Sequence, residues 1–224
     1  MMTLDEVIKE LKHRGTPQNV KVYRRHGAGD NVFGVSFAHL NHLKRKIWID
    51  HELALQLWDT GNADARSLAT MIADPERMTA TIANRWVGDV SYYLLADLLA
   101  ALIARTSFAA AKMDQWMKSK KEYVRQCGYA VLASVLKHGN GVTDTQGRQY
   151  LKTIEKEVHT SPNRARHTMN TALIAIGIYL PALTDEAIAA AQRIGPVTVD
   201  HGETSCQTPD AVVYIRKALE RTRK

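Results

Sequence analysis

The sequence predicts an all-α fold, and three observations lead to that prediction. Apolar residues recur three and four positions apart through nearly every segment, no segment alternates like a strand, and capping residues precede many of the apolar runs. The chain has 224 residues, of which 45% are hydrophobic and 24% are charged. This composition supports a folded core and argues against a disordered chain.

The helices can be followed in order along the chain. The first is predicted over residues 2–14, because Leu4, Val7 and Leu11 share one face. Residues 18–34 contain three glycines and are predicted to be a loop. Further helices are expected at about 36–46, 50–58, 63–73, 90–105, 107–117, 122–137, 144–158, 161–179 and 184–194, with a helix or turn after Thr79.

The C-terminal part contains the one clearly non-helical stretch, residues 195–207, in which Val197 and Val199 are a candidate for a short extended piece. Thr208-Pro209 is predicted to open the last helix, since a capping residue precedes a proline at the first helical position. Residues 1–224 are predicted to form a single helical-repeat domain.

A weak repeat lies within these helices. Arg66, Arg125 and Arg166 each follow a small or branched residue and precede apolar residues spaced three apart, at steps of 59 and 41 residues. Degenerate HEAT-like helical pairs, which repeat every 40–47 residues or so, would explain this pattern. The alternative is that any amphipathic helix can begin with an arginine.

The net charge of +7 is unevenly distributed. Residues 1–50 carry +4 and residues 111–170 carry +6, whereas residues 51–110 carry −3. Such basic blocks suit a polyanion such as nucleic acid, although solubilising charge is the simpler alternative. The basic clusters are Arg24-Arg25-His26, Lys44-Arg45-Lys46, Lys118-Ser119-Lys120-Lys121 and Arg164-Ala165-Arg166-His167.

Two further features concern compartment and metals. Cys127 and Cys206 are too few for a disulfide framework, no apolar stretch is long enough to span a membrane, and the N-terminal residues are not signal-like, so the cytoplasm is expected. Residues 199–206 contain His201, Glu203 and Cys206, but their spacing matches no strong zinc pattern. A polar turn is the favoured interpretation, and no metal is expected.

Asp97 is the most informative single residue. It is the only charge within Tyr92–Ala104, and a helix that is apolar on all sides is expected to be buried. An unpaired carboxylate there would be costly, so Asp97 should either line a cleft with Tyr93, four residues earlier, or form a structural ion pair. Arg125 and Arg66 are the candidate partners for that pair.

The tryptophans offer a second set of candidates. Trp58, Trp86 and Trp116 stand near predicted helix ends, where packing in the core is the favoured role. Because Trp86 precedes Gly88-Asp89, a position in a loop that faces a groove is the alternative for it.

Several segments share a wider pattern: residues 51–69 (HELALQLWDTGNADARSLA), Asp74-Pro75, Arg85-Trp86-Val87, Asp97, residues 116–133 and the tail 199–211. Together they resemble the DNA alkylation repair family, the AlkD-like proteins, over roughly residues 35–220. The motifs are diffuse, and the tail resembles one found in a branch of that family.

The resemblance implies a superhelical array of HEAT-like repeats with a concave, basic DNA-binding face. Active members are glycosylases that release cationic alkylpurines, such as 3-methyladenine and 7-methylguanine, without a metal or other cofactor. A carboxylate stabilises the positive charge that develops on the sugar. Carried over, that carboxylate falls on Asp97, its preceding aromatic on Tyr93 and the supporting arginine on Arg125. The active pattern prefers tryptophan at Tyr93 and has a second tryptophan where this chain has Thr171.

The resemblance therefore predicts a monomeric protein that binds double-stranded DNA, including alkylated or distorted DNA, and hydrolyses the N-glycosidic bond of cationic alkylpurines. When bound to DNA it would be associated with the nucleoid. The absence of a large aromatic at Thr171 motivates an alternative, a non-catalytic protein for distorted or branched DNA, and a protein-binding scaffold is a third. DNA contacts are expected from Tyr93, Trp86, Lys44, Arg45, Lys46, Lys120, Lys121, Arg164, Arg166 and His167.

Overall fold

Thirteen α-helices and two 3₁₀ turns make up the described part of the chain. The computed structural model describes residues 2–139, 141–203 and 205–222, so Asn140 of the predicted 139–141 break and Thr204 of the tail lie outside it. Within those residues no strand occurs, and the one extended pairing is an isolated antiparallel bridge between Gly15 and Val35. The all-α prediction is confirmed.

The chain divides into two compact units, Met1–Ser107 and Phe108–Lys224. A single domain over residues 1–224 therefore stays a prediction. The first unit contains α1 Leu4–Arg14, α2 Pro17–Arg25, α3 Phe37–Ile47, α4 His51–Asp59, α5 Ala63–Ile72, α6 Ala80–Asp89 and α7 Tyr93–Ile103. The second contains α8 Ala109–Met117, α9 Glu122–Lys137, α10 Asp144–Glu157, α11 Asn163–Tyr179, α12 Thr184–Ile194 and α13 Ala211–Thr222, with 3₁₀ turns at Val158–Thr160 and Pro181–Leu183.

The predicted loop at residues 18–34 is wrong over residues 18–25, because α2 occupies Pro17–Arg25. The Thr16 hydroxyl accepts a hydrogen bond from the Asn19 amide at 3.2 Å, and Pro17 supplies the first helical residue. This is the same pair of signals that Thr208-Pro209 offers in the tail. The glycines that suggested a loop lie beyond the helix, where Gly27, Gly29 and Gly34 all have positive φ.

Two other predicted helix starts are displaced. The last helix begins at Ala211 rather than Pro209, because the Asp210 carboxylate accepts the Val213 amide at 3.0 Å. Ser107 does not cap the helix that follows it, since α8 begins after Phe108 and has no side-chain cap. Ser36, Asp50 and Thr79, which stand at the expected starts of three helices, each cap the helix that follows.

In the first unit α3, α5 and α7 pack side by side in that order, with α4 against α5 and α6 against α7. The Asp64 carboxylate fixes this arrangement by accepting the amides of Phe33, Gly34 and Val35 at 2.7, 3.0 and 2.9 Å. Asp64 lies in the first turn of α5, so the segment that leads into α3 is held at the N-terminal end of α5.

These three helices also run in the same direction. Beyond the end of α3, the Asp50 amide donates to the carbonyl of Ile72, the last residue of α5, at 3.0 Å. Tyr92, which immediately precedes α7, has its hydroxyl 3.2 Å from Ser67 Oγ in the first half of α5. Burial raises the pKa of Tyr92 to about 12, so this phenol stays a hydrogen-bond donor well above neutral pH. The N-terminal ends of α3, α5 and α7 therefore share one edge of the unit.

The second unit repeats this organisation. Here α9, α11 and α13 pack in order, with α8 against α9, α10 against α11 and α12 against α13. The starts of α9 and α11 meet, because Glu122 Oε1 accepts the Arg164 amide at 2.6 Å. Helical pairs stacked in this way are the pattern that HEAT-like repeats produce.

The weak arginine repeat has a structural meaning. Arg66 donates to the Trp58 carbonyl at the end of α4 and to the Asp89 carbonyl at the end of α6, at 3.2 and 3.1 Å. Arg166 likewise donates to the carbonyls of Ser161 and Thr198, which follow α10 and α12, at 2.7 and 3.5 Å. The Arg66 guanidinium thus bonds to the negative ends of two neighbouring helices, and the Arg166 guanidinium bonds to residues that follow the corresponding helices.

Arg125 completes the series in a related way. Its guanidinium pairs with the carboxylate of Glu157, the last residue of α10. All three arginines thus lie near the start of one helix and bond to groups at, or just beyond, the end of a neighbouring one. This shared role supports the interpretation of the pattern as a repeat.

Gly128 allows α8 and α9 to pack closely, and we expect Gly128→Ala to destabilise the fold. A Cβ at this position would lie 2.4 Å from the Met117 amide nitrogen, which is backbone and cannot rotate away. The expected loss is about 1–3 kcal/mol, measured as a lower midpoint of urea unfolding. Gly88→Ala in α6 is the matched control, because a Cβ there meets nothing within 4 Å. Equal midpoints for the two variants would contradict the close approach.

Candidate nucleic-acid interface

Asp97 lies on the open side of α7. The expectation that this helix is buried on every side is wrong, because Asp97 and Ala101 are exposed, and Tyr93, Leu94 and Leu98 are only half-buried. One face of α7 thus remains accessible although the helix has a single charged residue. Of the two alternatives predicted from sequence, a carboxylate that lines an accessible surface agrees with this exposure.

The accessible face of α7 carries an aromatic pair beside the carboxylate. Tyr93 is one helical turn before Asp97, and the His26 ring meets the Tyr93 ring edge-to-face, with centroids 5.2 Å apart. His26 follows α2, so the segment that Asp64 anchors also brings an imidazole onto Tyr93. Sequence reasoning missed this contact, because it treated Arg24-Arg25-His26 only as a charge cluster.

Trp86 does not face a groove. It lies within α6, its side chain is 0% exposed, and it stacks on Trp58 with ring centroids 4.1 Å apart and planes 2° from parallel. A ring enclosed in this way has no surface for DNA, so the expectation of a DNA contact from Trp86 is wrong. Core packing, the role that the sequence favoured, describes Trp58, Trp86 and Trp116.

The tryptophan stack is tied to the arginine network. Trp58 Nε1 donates to the Asp89 carboxylate at 2.9 Å, and the guanidinium carbon of Arg66 lies 5.1 Å from the Trp58 ring centroid. Arg66 also approaches the Asp89 carboxylate at 3.6 Å. Of the Arg85-Trp86 motif, Trp86 therefore contributes to the core of the first unit, whereas Arg85 is exposed and pairs with Asp59 at 3.3 Å.

Cations gather around the starts of α9 and α11 in the second unit. Lys118, Lys120 and Lys121 are exposed just before α9, which begins without a side-chain cap. Arg164 and His167 are half-buried in the first turns of α11. Because helix N-termini attract anions, this edge has the chemistry of a phosphate-binding surface.

Lys44, Arg45 and Lys46 lie elsewhere, at the C-terminal end of α3. They are exposed and belong to the edge of the first unit opposite the N-terminal ends of α3, α5 and α7. Two of the predicted residues are engaged within the protein: Arg125 pairs with Glu157, and Arg166 binds two carbonyls. Catalytic roles for Asp97 and Arg125, and DNA contacts from these cations, stay predictions.

The tail segment 195–207 lies along α11. Asn163 and Asp200 exchange two hydrogen bonds of 2.7 Å each, from the Asn163 side chain to the Asp200 carbonyl and from the Asp200 amide to the Asn163 side chain. The Asn170 side chain donates to the Pro209 carbonyl at 2.9 Å, and no strand forms at Val197 or Val199 in the described residues. This docking could not be predicted from the amino-acid pattern, because mainly backbone groups of the tail take part.

A histidine pair closes the tail onto α11. The rings of His167 and His201 meet edge-to-face at 5.4 Å, and His201 Nε2 lies 3.0 Å from the Thr208 hydroxyl. Burial lowers the pKa of His167, with smaller contributions from His201 and Arg164. Burial also lowers the pKa of His201, an effect that Arg164 increases and Asp200 opposes. Thr171, where the resemblance calls for tryptophan, is half-buried nearby and donates to the His167 carbonyl at 3.0 Å.

The described residues contain neither a cluster of metal ligands nor a single membrane-spanning helix. Among residues 2–139, 141–203 and 205–222, no group of three or more His, Cys, Asp or Glu side chains is arranged to hold a metal ion. No single helix in the described residues is long and apolar enough to cross a membrane. One pair, Asn163–Tyr179 with Pro181–Ile194, meets the length and composition criteria only together and is bent by 112°.

The helical pairs define a HEAT-like repeat protein, and comparisons with known proteins identify its kind. The model of the family described as DNA alkylation repair enzyme matches residues 7–215. The chain therefore belongs to the DNA alkylation repair family, as the resemblance predicted.

Individual relatives agree with this assignment. Two uncharacterized proteins, Lin0241 of Listeria innocua and Lmo0209 of Listeria monocytogenes, are 29% and 28% identical to it over essentially the full length of each chain. A solved structure described as a new family of proteins related to the HEAT-like repeat DNA glycosylases, with affinity for branched DNA structures, is 29% identical. It superposes with a TM-score of 0.89 and covers 99% of this chain and 96% of its own.

The two lowered histidine pKa values predict weaker stability in mild acid. His167 and His201 have folded-state pKa values below the unfolded value of 6.5, so the unfolded chain binds more protons as the pH falls below about 6.5. Stability is therefore retained above that pH and lost below it. We expect a lower urea midpoint at pH 5.5 than at pH 7.5, and a smaller difference in His167→Gln. Exposed His42→Gln is the control, and an unchanged difference in His167→Gln would contradict the assignment.

Proposed function

We propose that this chain binds DNA and prefers branched DNA to a linear duplex. The observation that supports this most strongly is the cluster of exposed lysines at the uncapped start of α9, beside the first turn of α11. Phosphates bind where helix amides and mobile cations converge, without reading base sequence. The structural relative with affinity for branched DNA supports the choice of ligand.

The aromatic composition of the site favours binding over base release. Thr171 stands where the active pattern of the family has a tryptophan, and its hydroxyl bonds back to the helix rather than forming an aromatic wall. The other aromatic of that pattern is Tyr93, which His26 contacts at its ring. Loss of a large aromatic surface removes contact area that would hold a sugar backbone in place.

The lysines before α9 provide the test of DNA binding. We expect the double variant Lys120→Gln/Lys121→Gln to bind a four-way junction more weakly, because about two counterion-releasing contacts are lost. The slope of log affinity against log salt should fall by about 2, measured by fluorescence anisotropy between 50 and 200 mM NaCl. Lys137→Gln, at the other end of α9, is the matched control and should match the wild type.

The wild type should also bind the junction more tightly than a linear duplex of equal length. Equal affinity for the two DNAs would contradict the preference for branches, and unchanged salt dependence in the double variant would remove the lysines from the interface.

A second candidate function is the release of cationic alkylpurines, and the exposure of Asp97 favours it. A carboxylate on an accessible face can approach the deoxyribose and stabilise the oxocarbenium-like charge as the glycosidic bond breaks. A cationic base is already a good leaving group, so this electrostatic role needs no strong general base. Oriented water would complete the hydrolysis.

For this candidate we expect single-turnover release of methylated purines from alkylated duplex DNA by the wild type and none by Asp97→Asn. Asp185→Asn, an exposed carboxylate of α12, is the control and should retain release. The loss should exceed a hundredfold if the carboxylate supplies the main charge stabilisation, on the order seen when one oxyanion-hole donor is removed. Release by a folded Asp97→Asn variant would exclude the assignment, and no release by the wild type would leave DNA binding alone.

A further inference from the structure

Trp48 is unlike the other tryptophans of the chain. Trp58, Trp86 and Trp116 are 0%, 0% and 3% exposed, whereas Trp48 is 74% exposed. Ile49, which follows it, is 51% exposed. A large indole left in water retains the binding capacity that makes tryptophan prominent at interaction sites.

The backbone holds Trp48 outward. It ends α3 with φ 66° and ψ −126°, and it is the one non-glycine residue with positive φ among the described residues. Its amide donates to the Lys44 carbonyl at 2.8 Å, and two residues later the Asp50 amide donates to the Ile72 carbonyl at 3.0 Å. Bulky residues rarely adopt such a conformation, and glycine would adopt it without strain. A tryptophan here is therefore unfavourable for the backbone and presents an exposed ring.

The surroundings of the ring are basic. Lys44, Arg45 and Lys46 immediately precede it and are exposed. Hydrogen bonds to Thr3 and Arg14 are the main causes of the lowered pKa values of Glu6 and Glu10, and Lys46 adds a small electrostatic contribution to both from its position near α1. Lys44 and Arg45 form no ion pair with the residues that the structure describes. Cations at a helix C-terminus offset the helix dipole, but that role explains neither the exposed indole nor its backbone.

We propose that Trp48, with Ile49, is a stacking wedge for an unpaired or splayed base at a DNA branch point, and that Lys44 and Arg45 contact the flanking phosphates. This inference rests on the proposed function. Aromatic side chains stack on any base, since every base has a π face, and apolar wedges enter base steps where stacking is interrupted. A branch point offers such bases, whereas a continuous duplex does not.

Two physical arguments favour DNA over another partner. The adjacent cations complement a polyanion. A stable protein interface needs about 800 Å² from each partner, and two exposed apolar side chains are far short of that area.

The other tryptophans are buried but still emit, so the part of the fluorescence that acrylamide can quench reports selectively on Trp48. We expect a four-way junction to quench the emission and to protect the acrylamide-accessible component, while a linear duplex of equal length does so far less. Trp48→Phe should lose that component. Trp48→Ala should weaken junction binding roughly tenfold, as expected when one base–aromatic stack is lost, and leave duplex binding unchanged. Tyr214→Ala, another exposed aromatic, is the control and should bind like the wild type.

Trp48→Gly separates binding from folding. Glycine relieves the backbone strain, so this variant should unfold in urea no earlier than the wild type and still lose the junction preference. If the wild type binds no branched DNA, the proposed function fails, and the wedge fails with it. If the junction binds but emission and Trp48→Ala affinity are unchanged, the wedge alone is overturned. Binding of Trp48 to anionic vesicles, or a dimer that Trp48→Ala dissociates, would likewise overturn it.

Discussion

One buried carboxylate determines the arrangement of the first unit. Asp64 accepts three consecutive backbone amides, and this fixes the segment between α2 and α3 against the start of α5. Three donors on one carboxylate form strong charge-assisted bonds and leave none of these buried amides unpaired. Burial raises the pKa of Asp64, and the same three amides oppose that rise. Their hydrogen bonds stabilise the charged form of the buried carboxylate. The position of His26 against Tyr93 depends on this anchor.

In both units, arginine side chains link the start of one helix to the end of another. Arg66 and Arg166 lie near the starts of their helices and donate to carbonyls at, or beyond, the ends of others, and Arg125 pairs with a carboxylate at such an end. An arginine that crosses between helices in this way stabilises two elements at once, because it joins the start of one to the end of the other. This role requires only one residue in each repeat. The arginine is therefore the most visible feature of the repeat in the amino-acid sequence.

The helices could be predicted because capping and periodicity are local signals. Ser36, Asp50 and Thr79 each cap the helix expected after them, and the amphipathic spacing placed α9 at its observed bounds. The loop predicted over α2 was wrong because it relied on the glycines that follow the helix. The helix-start signal of Thr16-Pro17 was the better guide to this segment. The His26–Tyr93 contact could not be predicted, since it joins segments more than sixty positions apart through an anchor on a third. Core packing was the favoured role for Trp86, but its stacking on Trp58 could not be predicted, since the two rings lie on different helices.

The tail attaches to α11 in an asymmetric way. The side chains of Asn163, Arg166 and Asn170 bind backbone groups of Asp200, Thr198 and Pro209. Backbone groups are the same whatever side chain a residue carries, so substitutions among the exposed tail positions preserve these bonds as long as the chain trace is kept. Evolution can thus vary the outer surface of this segment, its shape and charge, without detaching it. The binding side chains of α11 must be kept, whereas the exposed side chains of the tail can change. A new binding specificity can therefore arise on the tail without loss of its attachment.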